Sequence, residues 1–170
     1  MNLTDSDFEL FGLPEQFKID VMALDTKWKA LQREAHPDKF VAQGATAQRL
    51  AMQWSVRINE AYQRLKDPLK RAAYLCELRG VPINAENNTA MPAAFLVQQI
   101  EWREQLEEAD AATSDGQIET LLADVSALKQ SLLSQCGCAL DEDHDAQAAS
   151  TLVRSLMFIE KFESELEDRL

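Results

Sequence analysis

Hydrophobic positions recur at helical spacing through the first half of the chain, and polar breaks divide them into three runs. The first run is short; Thr4 or Asp5 would cap it and Gly12 would end it. Asp20 is the predicted cap of the second run, which reaches His36, and the third run extends over 47–66. The predicted buried positions are Phe8, Leu10 and Phe11 in the first run, Val21, Leu24, Trp28 and Leu31 in the second, and Leu50, Trp54, Ile58, Ala61 and Leu65 in the third.

The tripeptide His36-Pro37-Asp38 separates the second and third runs. Pro37 has no backbone N–H and disfavours the helical region for the residue before it, so the second helix has to end here. The polar segment after it, 39–46, is predicted to be a loop, with Thr46 as the cap of the third helix. In this hairpin His36 and Asp38 would stand at an exposed loop tip, where functional residues are often found. A structural role is the alternative: His36 would cap the helix end and Asp38 would make a local turn.

The surroundings of the tripeptide favour recognition, because the helix before it carries a basic face of Lys27, Lys29 and Arg33. With His36-Pro37-Asp38-Lys39-Phe40, the segment 58–65 and the segment 69–75, residues 1–79 resemble a J-domain. The resemblance implies a helical hairpin that docks on an ATPase chaperone of the DnaK class and triggers its ATP hydrolysis. The residues it implies for chaperone binding are Lys27, Lys29, Arg33, His36, Pro37, Asp38 and Lys39.

The second half of the chain predicts three further helices, at about 93–112, 115–136 and 142–168, after a polar linker over 80–92. The predicted breaks are Ser114-Asp115-Gly116 and the stretch from Gly137 to Asp141, where Gly137 would cap the helix end. Short connections between long helices indicate antiparallel neighbours. The chain is therefore predicted to be all-α, with an N-terminal J-domain over 1–79 and a C-terminal three-helix bundle over 93–170.

The first helix of this bundle shows two apolar faces. At about 100° per residue, the core stripe is formed by Phe95, Trp102, Leu106 and Ala109. A second apolar flank, formed by Leu96, Val97 and Ile100, is bordered by Glu101, Glu104 and Glu108. Phe158 points away from the stripe of Leu152, Leu156 and Ile159 on the last helix and would extend this flank. Because unpaired carboxylates are rarely buried, this pattern predicts that the flank is an exposed binding patch. The alternative is that this helix is buried on two sides by its neighbours.

Charge separates the two halves. Residues 1–80 carry 12 Lys and Arg against 11 Asp and Glu, whereas residues 81–170 carry 5 against 18. The acidic half makes nucleic acid an improbable partner, because phosphate binding needs clustered basic side chains. No apolar run is long enough to span a membrane and no signal pattern opens the chain, so neither a membrane nor secretion is expected. Three cysteines, an odd number, favour a reducing cytosol over a disulfide framework.

Catalytic and metal-binding motifs are weak. Cys136 and Cys138 lie two residues apart, but a tetrahedral site would need Cys76 and His144 as well. The chain carries no glycine-rich phosphate loop, no Ser-His-Asp order and no helical His-Glu zinc motif. We therefore expect no enzyme activity, no metal and no cofactor.

The order of J-domain, short linker and acidic bundle, with the sequences of 89–96 and 99–104, resembles the HscB family of J-type co-chaperones of iron–sulfur cluster biogenesis. That resemblance implies two partners, the DnaK-class chaperone HscA and the scaffold protein IscU. It maps scaffold binding to Leu96, Val97, Ile100, Glu101, Glu104, Glu108 and Phe158. The absence of the N-terminal cysteine couples of eukaryotic members favours a bacterial cytosolic protein. The alternatives are a J-domain adaptor for another client, a carrier that binds metal through Cys136 and Cys138, and a structural helical protein with an incidental tripeptide.

Overall fold

The computed structural model describes residues 2–84, 91–111 and 116–170, and all the regular structure in these ranges is helical. An all-α fold is therefore confirmed. The helices are α1 (Asp7–Leu10), α2 (Val21–Glu34), a 3-10 turn (Pro37–Gln43), α3 (Ala45–Lys66), α4 (Pro68–Leu78), α5 (Ala93–Ala111), α6 (Gln117–Asp141) and α7 (Ala146–Glu167). The chain divides into two compact units, Met1–Leu75 and Cys76–Leu170.

In the first unit, α2 and α3 form an antiparallel hairpin. Asp20 caps α2 as predicted, because its carboxylate accepts hydrogen bonds from the N–H groups of Met22 and Ala23. The indole of Trp28 stacks on Tyr62 at 4.3 Å between ring centroids, and the Tyr62 hydroxyl donates to Asp25 at 2.6 Å. These contacts fix the register of the two helices and so determine where the connecting loop lies.

The short helix α1 is attached to the hairpin through a buried carboxylate. Asp7 is fully buried, and its oxygens lie 2.8 Å from Arg57 and 2.6 Å from Arg64, both on α3. The N–H of Asp7 donates to the Tyr74 hydroxyl, and Phe8 stacks on the same tyrosine. Since a buried charge is tolerated only when it is paired, this network ties α1 to α3 and α4.

Several predictions for the first unit are wrong in detail. The cap of α1 is Ser6, which forms a capping box with Glu9, rather than Thr4 or Asp5. Gly44, at φ 96°, precedes α3 in place of a Thr46 cap, so the helix starts earlier than predicted.

The predicted buried stripes also need correction. Leu50 is 49% exposed and Val21 is 38% exposed, so neither belongs to the core. Ala51 is buried instead of Leu50, which places the α3 stripe one residue further along the helix at its start.

In the second unit, α5, α6 and α7 form the predicted bundle. Trp102 on α5 stacks on Phe162 on α7 at 5.7 Å, with the two rings nearly parallel. Ser126 and Lys129 on α6 both contact Glu163, while Cys136 contacts the Ala149 carbonyl, so α6 and α7 are antiparallel. One cluster of the core consists of Phe95, Trp102, Leu106, Leu121, Val125, Ile159, Phe162 and Leu166.

The breaks between these helices differ from prediction. Gly137 lies inside α6, which continues to Asp141, so it does not cap a helix end. The chain turns later, where His144 takes φ 51° and Asp145 caps α7 by accepting from the N–H of Ala148. Gly116 precedes α6, whereas Ser114 and Asp115 lie outside the described residues.

Parts of the predicted linker are also outside the described residues, namely 85–90. Of the described part, Asn84 takes φ 47° and Ile83 is buried.

Leu152, which was predicted to lie in the core stripe of α7, is only half-buried, and its neighbour Val153 is fully buried. Across the described ranges, no helix has the length and apolar content needed to cross a membrane.

Two candidate interaction surfaces

The loop between α2 and α3 is an ordered 3-10 turn, rather than the irregular loop predicted for 39–46. Helix α2 ends at Glu34, with Ala35 as its C-cap, and His36 is extended at φ −63° and ψ 126°. This backbone is what Pro37 demands of the residue before it. The N–H of Lys39 donates to the His36 carbonyl at 3.0 Å, which closes the turn and holds the tripeptide in one conformation.

The His36 side chain is oriented by the turn while remaining accessible. Its Nδ1 accepts a hydrogen bond from the N–H of Asp38 at 3.3 Å, so His36 caps the turn that follows it and not the helix before it. With Nδ1 as the acceptor, the neutral imidazole carries its proton on Nε2 and can donate outward. The side chains of His36 and Asp38 are 58% and 86% exposed. The tip therefore offers a donor and a carboxylate that a partner can reach.

The predicted basic face on α2 divides into a tethered lysine and two free cations. Lys27 is partly buried, and its Nζ donates to the Gly12 carbonyl at 3.2 Å. Lys29 and Arg33 are exposed and make no ion pair within the described residues. Lys39, in the turn, is also exposed. These unpaired charges give the helix and turn a positive surface that would attract an acidic partner over several ångströms.

The second surface is a groove of about 630 Å³ between α5 and α7. Its floor consists of side chains that belong to the core of the bundle: Phe95, Trp102, Ile159 and Phe162. The rings of Trp102 and Phe162 stack within this floor, and aromatic pairs of this kind add stability beyond their buried area. The lining of the groove is thus mostly apolar.

Three predicted residues from two helices meet on the rim of this groove. Leu96 and Ile100 on α5 are 42% and 60% exposed, and Phe158 on α7 is 42% exposed. Large apolar side chains held at the surface around a concave floor are typical of a protein-binding site. The alternative of an α5 buried on two sides does not fit these exposures.

The remaining predicted residues lie further from the groove. Glu104 lines it, whereas Val97 and Glu101 are exposed on the neighbouring flank of α5 and do not. Glu108 lines a separate, more polar depression with Gln105 and Asp124. The acidic residues therefore form a border along α5 and not a single cluster.

Sequence reasoning missed three polar residues that line the groove: Gln99, Arg103 and Glu107. Arg103 makes a forked ion pair with Glu165 at 2.6 and 3.2 Å, which raises the pKa of the guanidinium and lowers the pKa of the carboxyl. Helical spacing could have identified these three residues, because Gln99, Arg103 and Glu107 lie within about 60° of Leu96 on the helical wheel.

The three cysteines differ in burial, and the pKa of each thiol is raised. Cys76 and Cys136 are buried, and desolvation raises the pKa of the first thiol to about 11 and of the second to about 12. Cys138 is exposed beside Glu142, whose charge raises the pKa of this thiol. Among the described residues, no group of three or more His, Cys, Asp or Glu could hold a metal ion.

Comparison with known proteins identifies relatives over nearly the whole chain. Residues 91–167 match the family described as the HSCB C-terminal oligomerisation domain. The co-chaperone protein HscB homolog of Burkholderia multivorans is 52% identical over 98% of this chain and 94% of its own length. The corresponding protein of Burkholderia thailandensis is 50% identical with the same coverage.

Two solved structures share the fold. The chaperone HscB from Vibrio cholerae superposes with a TM-score of 0.83 at 36% identity and covers 96% of both chains. The human co-chaperone protein HscB gives a TM-score of 0.90 at 25% identity, over 99% of this chain and 84% of that one. A J-domain followed by a helical C-terminal domain is the architecture of these structures, as predicted. The chain belongs to the HscB family, the J-type co-chaperones of iron–sulfur cluster biogenesis.

Proposed function

We propose that this protein stimulates ATP hydrolysis by the DnaK-class chaperone HscA and delivers the iron–sulfur scaffold protein IscU to it in the bacterial cytoplasm. Residues 1–79 would act as the J-domain, 80–92 as the linker and 93–170 as the client-binding domain. The observation that supports this most is that one chain carries two accessible surfaces of different chemistry, on separate compact units. One is a cationic, hydrogen-bonding loop and the other an apolar groove.

The chaperone would be engaged through His36-Pro37-Asp38 and the cations beside it. Lys29, Arg33 and Lys39 are exposed and would speed the encounter with an acidic surface. Lys27 would contribute less through direct contact, because its ammonium already donates to the Gly12 carbonyl. His36 and Asp38 would then supply directional hydrogen bonds, the imidazole as donor and the carboxylate as acceptor.

The client would be bound along α5 and Phe158. Leu96, Ile100 and Phe158 surround the groove, so an apolar side chain of the client would bury against all three. Val97 would extend this contact along the exposed flank. Glu101, Glu104 and Glu108 would form an acidic border that favours a client with basic residues beside its apolar anchor.

No group on the chain is assigned to the ATP chemistry, which in this proposal belongs to the chaperone. The relatives of this chain are described as co-chaperones, and that description supports a non-enzymatic role. Its contribution is to bring the client and the chaperone together and to trigger hydrolysis through the loop.

Steady-state ATP hydrolysis by HscA tests the proposal. The rate would be measured with this protein, with IscU, and with both. We expect weak stimulation by each alone and a much more than additive rate when both are present. Simple additivity would contradict delivery of this client. A lack of stimulation by the protein itself would contradict the J-domain assignment.

A further inference from the structure

Arg103 lines the groove between α5 and α7. Of the described side chains that line the groove, it alone carries a positive charge, next to Glu104 and Glu107. Its guanidinium carbon lies 4.9 Å from the centroid of the Phe162 ring, which forms part of the floor. The side chain is 53% exposed. A cation is therefore fixed at the edge of an apolar groove without being buried.

Glu165 holds this cation in place. Both terminal nitrogens of Arg103 donate to the two oxygens of Glu165, at 2.6 and 3.2 Å. A forked pair of this kind fixes the plane of the guanidinium as well as its position. Arg has five N–H donors, and this pair uses two of them. Three donors thus remain for an incoming molecule.

A client that fills the groove takes water away from these donors. An unpaired donor that loses its water is costly, so the client has to present acceptors beside its apolar anchor. We propose that Arg103 is a specificity-determining residue of the client-binding groove and donates hydrogen bonds to a main-chain carbonyl or carboxylate of the client. This inference rests on the client-binding function proposed for the groove.

The proposed recognition adds polar contacts of both signs to the apolar anchor. Arg103 receives the acceptor, while Glu104 and Glu107 receive a basic side chain. A client segment that offers only an apolar residue would contact the apolar floor and rim but would leave Arg103, Glu104 and Glu107 without partners from the client. The groove would therefore discriminate among clients of equal hydrophobicity, because an acceptor in the wrong place leaves Arg103 unpaired.

The chain offers a matched control. Arg169, two residues after the end of α7, also forms an exposed ion pair with a residue of α5, Asp110, but neither residue lines the groove. Both pairs can clamp the two helices together, and only Arg103 lies where a client would contact it. A comparison of the two arginines separates recognition from clamping.

The experiment titrates IscU against the full-length protein and its variants, with the thermal midpoint of unfolding measured for each. We expect Arg103→Gln to weaken binding about tenfold, through loss of hydrogen bonds to a charged donor. Arg103→Lys, which keeps the charge but not the fork, should recover part of that loss. Arg169→Gln should leave the affinity unchanged.

The outcomes distinguish this inference from the proposed function. If Leu96→Ala weakens binding while Arg103→Gln does not, the groove still binds the client and the role of Arg103 is wrong. Equal losses in Arg103→Gln and Arg169→Gln would make Arg103 a clamp only. If neither Leu96→Ala nor Arg103→Gln changes the affinity, client binding by the groove is wrong, and the inference falls with it.

Discussion

The two candidate surfaces are both accessible, but different interactions hold them in place. The loop at His36-Pro37-Asp38 is ordered by local hydrogen bonds, two of which join residues only two or three positions apart. The groove between α5 and α7 is ordered by the buried core beneath it, including the stack of Trp102 on Phe162. The first is polar and local in sequence, and the second is apolar and assembled from distant segments.

This difference has a functional consequence. Local order allows the loop to present the same donors and acceptors whatever happens in the second unit, as a trigger requires. A rim of exposed apolar side chains over a packed floor would allow the groove, in the proposed function, to bind a client with little reorganisation. Each surface should thus be removable by substitution without affecting the other, and the following predictions test that independence.

The largest effect is expected at the loop. His36→Gln should abolish stimulation of the chaperone ATPase. Glutamine does not reproduce the geometry of an imidazole whose Nδ1 accepts from the N–H of Asp38 while its Nε2 donates outward. Helix content by circular dichroism and affinity for IscU should remain as in the unsubstituted protein, since His36 is exposed.

His144→Gln is the matched control, as it changes the other exposed histidine and should leave stimulation intact. An unfolded His36→Gln variant would instead assign the histidine a structural role. Loss of client binding in that variant would contradict the independence of the two surfaces.

The next effect is expected in the groove. Combined replacement of Leu96, Val97 and Phe158 by alanine should weaken scaffold binding by about a hundredfold, since interface anchors commonly contribute 2 kcal/mol or more each and do not add fully. Calorimetric titration with IscU measures it. Stimulation of the chaperone in the absence of the client should be retained.

Single substitutions sharpen this prediction. Leu96→Ala and Phe158→Ala should each weaken binding more than Val97→Ala, because Val97 lies outside the groove. Met52→Ala, at an exposed apolar residue on α3, controls for general loss of surface hydrophobicity and should have no effect. An unchanged affinity in the triple variant would contradict the assignment of the patch.

A third contrast concerns stability. Asp7 is buried between Arg57 and Arg64, whereas Asp110 pairs with Arg169 at the surface. Asp7→Ala should lower the free energy of unfolding by about 2–3 kcal/mol, because the partly exposed Arg57 and Arg64 lose the carboxylate to which they are bonded. Asp110→Ala should cost about 1 kcal/mol or less. Urea denaturation followed by circular dichroism measures both, and equal costs would contradict the structural role given to Asp7.

The smallest effect is expected at Glu165. Arg103 lowers the pKa of its carboxyl below the ordinary value of 4.5, so the ionised form stabilises the fold. That contribution is present above pH 4.5 and disappears as the pH falls through the lowered pKa. Glu165→Gln should therefore be less stable than the unsubstituted protein at pH 7, by about 0.2–1 kcal/mol for a partly exposed pair.

The same comparison at pH 3 should show a smaller difference between the two proteins. A difference that grows with acidity would reverse the sign of this linkage and contradict the ion pair as its cause.

The sequence carried more information about the loop than about the groove. Pro37 has a fixed local consequence, so the end of α2 and the extended His36 could be predicted from three residues. The groove depends on which faces of α5 and α7 meet. Helical spacing located Leu96, Ile100 and Phe158 as exposed, and it also places Arg103 and Glu107 on the same side of α5 as Leu96. That this side lines a groove with α7 depends on the packing of the two helices.

Local signals also failed where tertiary burial opposed them. Gly137 was expected to end a helix, yet Leu133, Cys136 and Leu140 continue a buried stripe past it, and that burial outweighs the cost of one glycine. At the N-terminus, Thr4, Asp5 and Ser6 are all competent caps, and composition alone does not choose among them. Element type was thus predictable, while element ends were predictable only where a strong local signal such as Pro37 determines them.

Delivery of the client requires both surfaces on one molecule, and a complementation assay tests this requirement. The chaperone ATPase would be measured with IscU and an equal mixture of two variants, one carrying His36→Gln and the other the triple alanine replacement at Leu96, Val97 and Phe158. Each variant retains one intact surface. We expect no recovery of the more than additive rate, because neither molecule can connect client and chaperone. Full recovery by the mixture would contradict delivery and would reduce the protein to two independent activities.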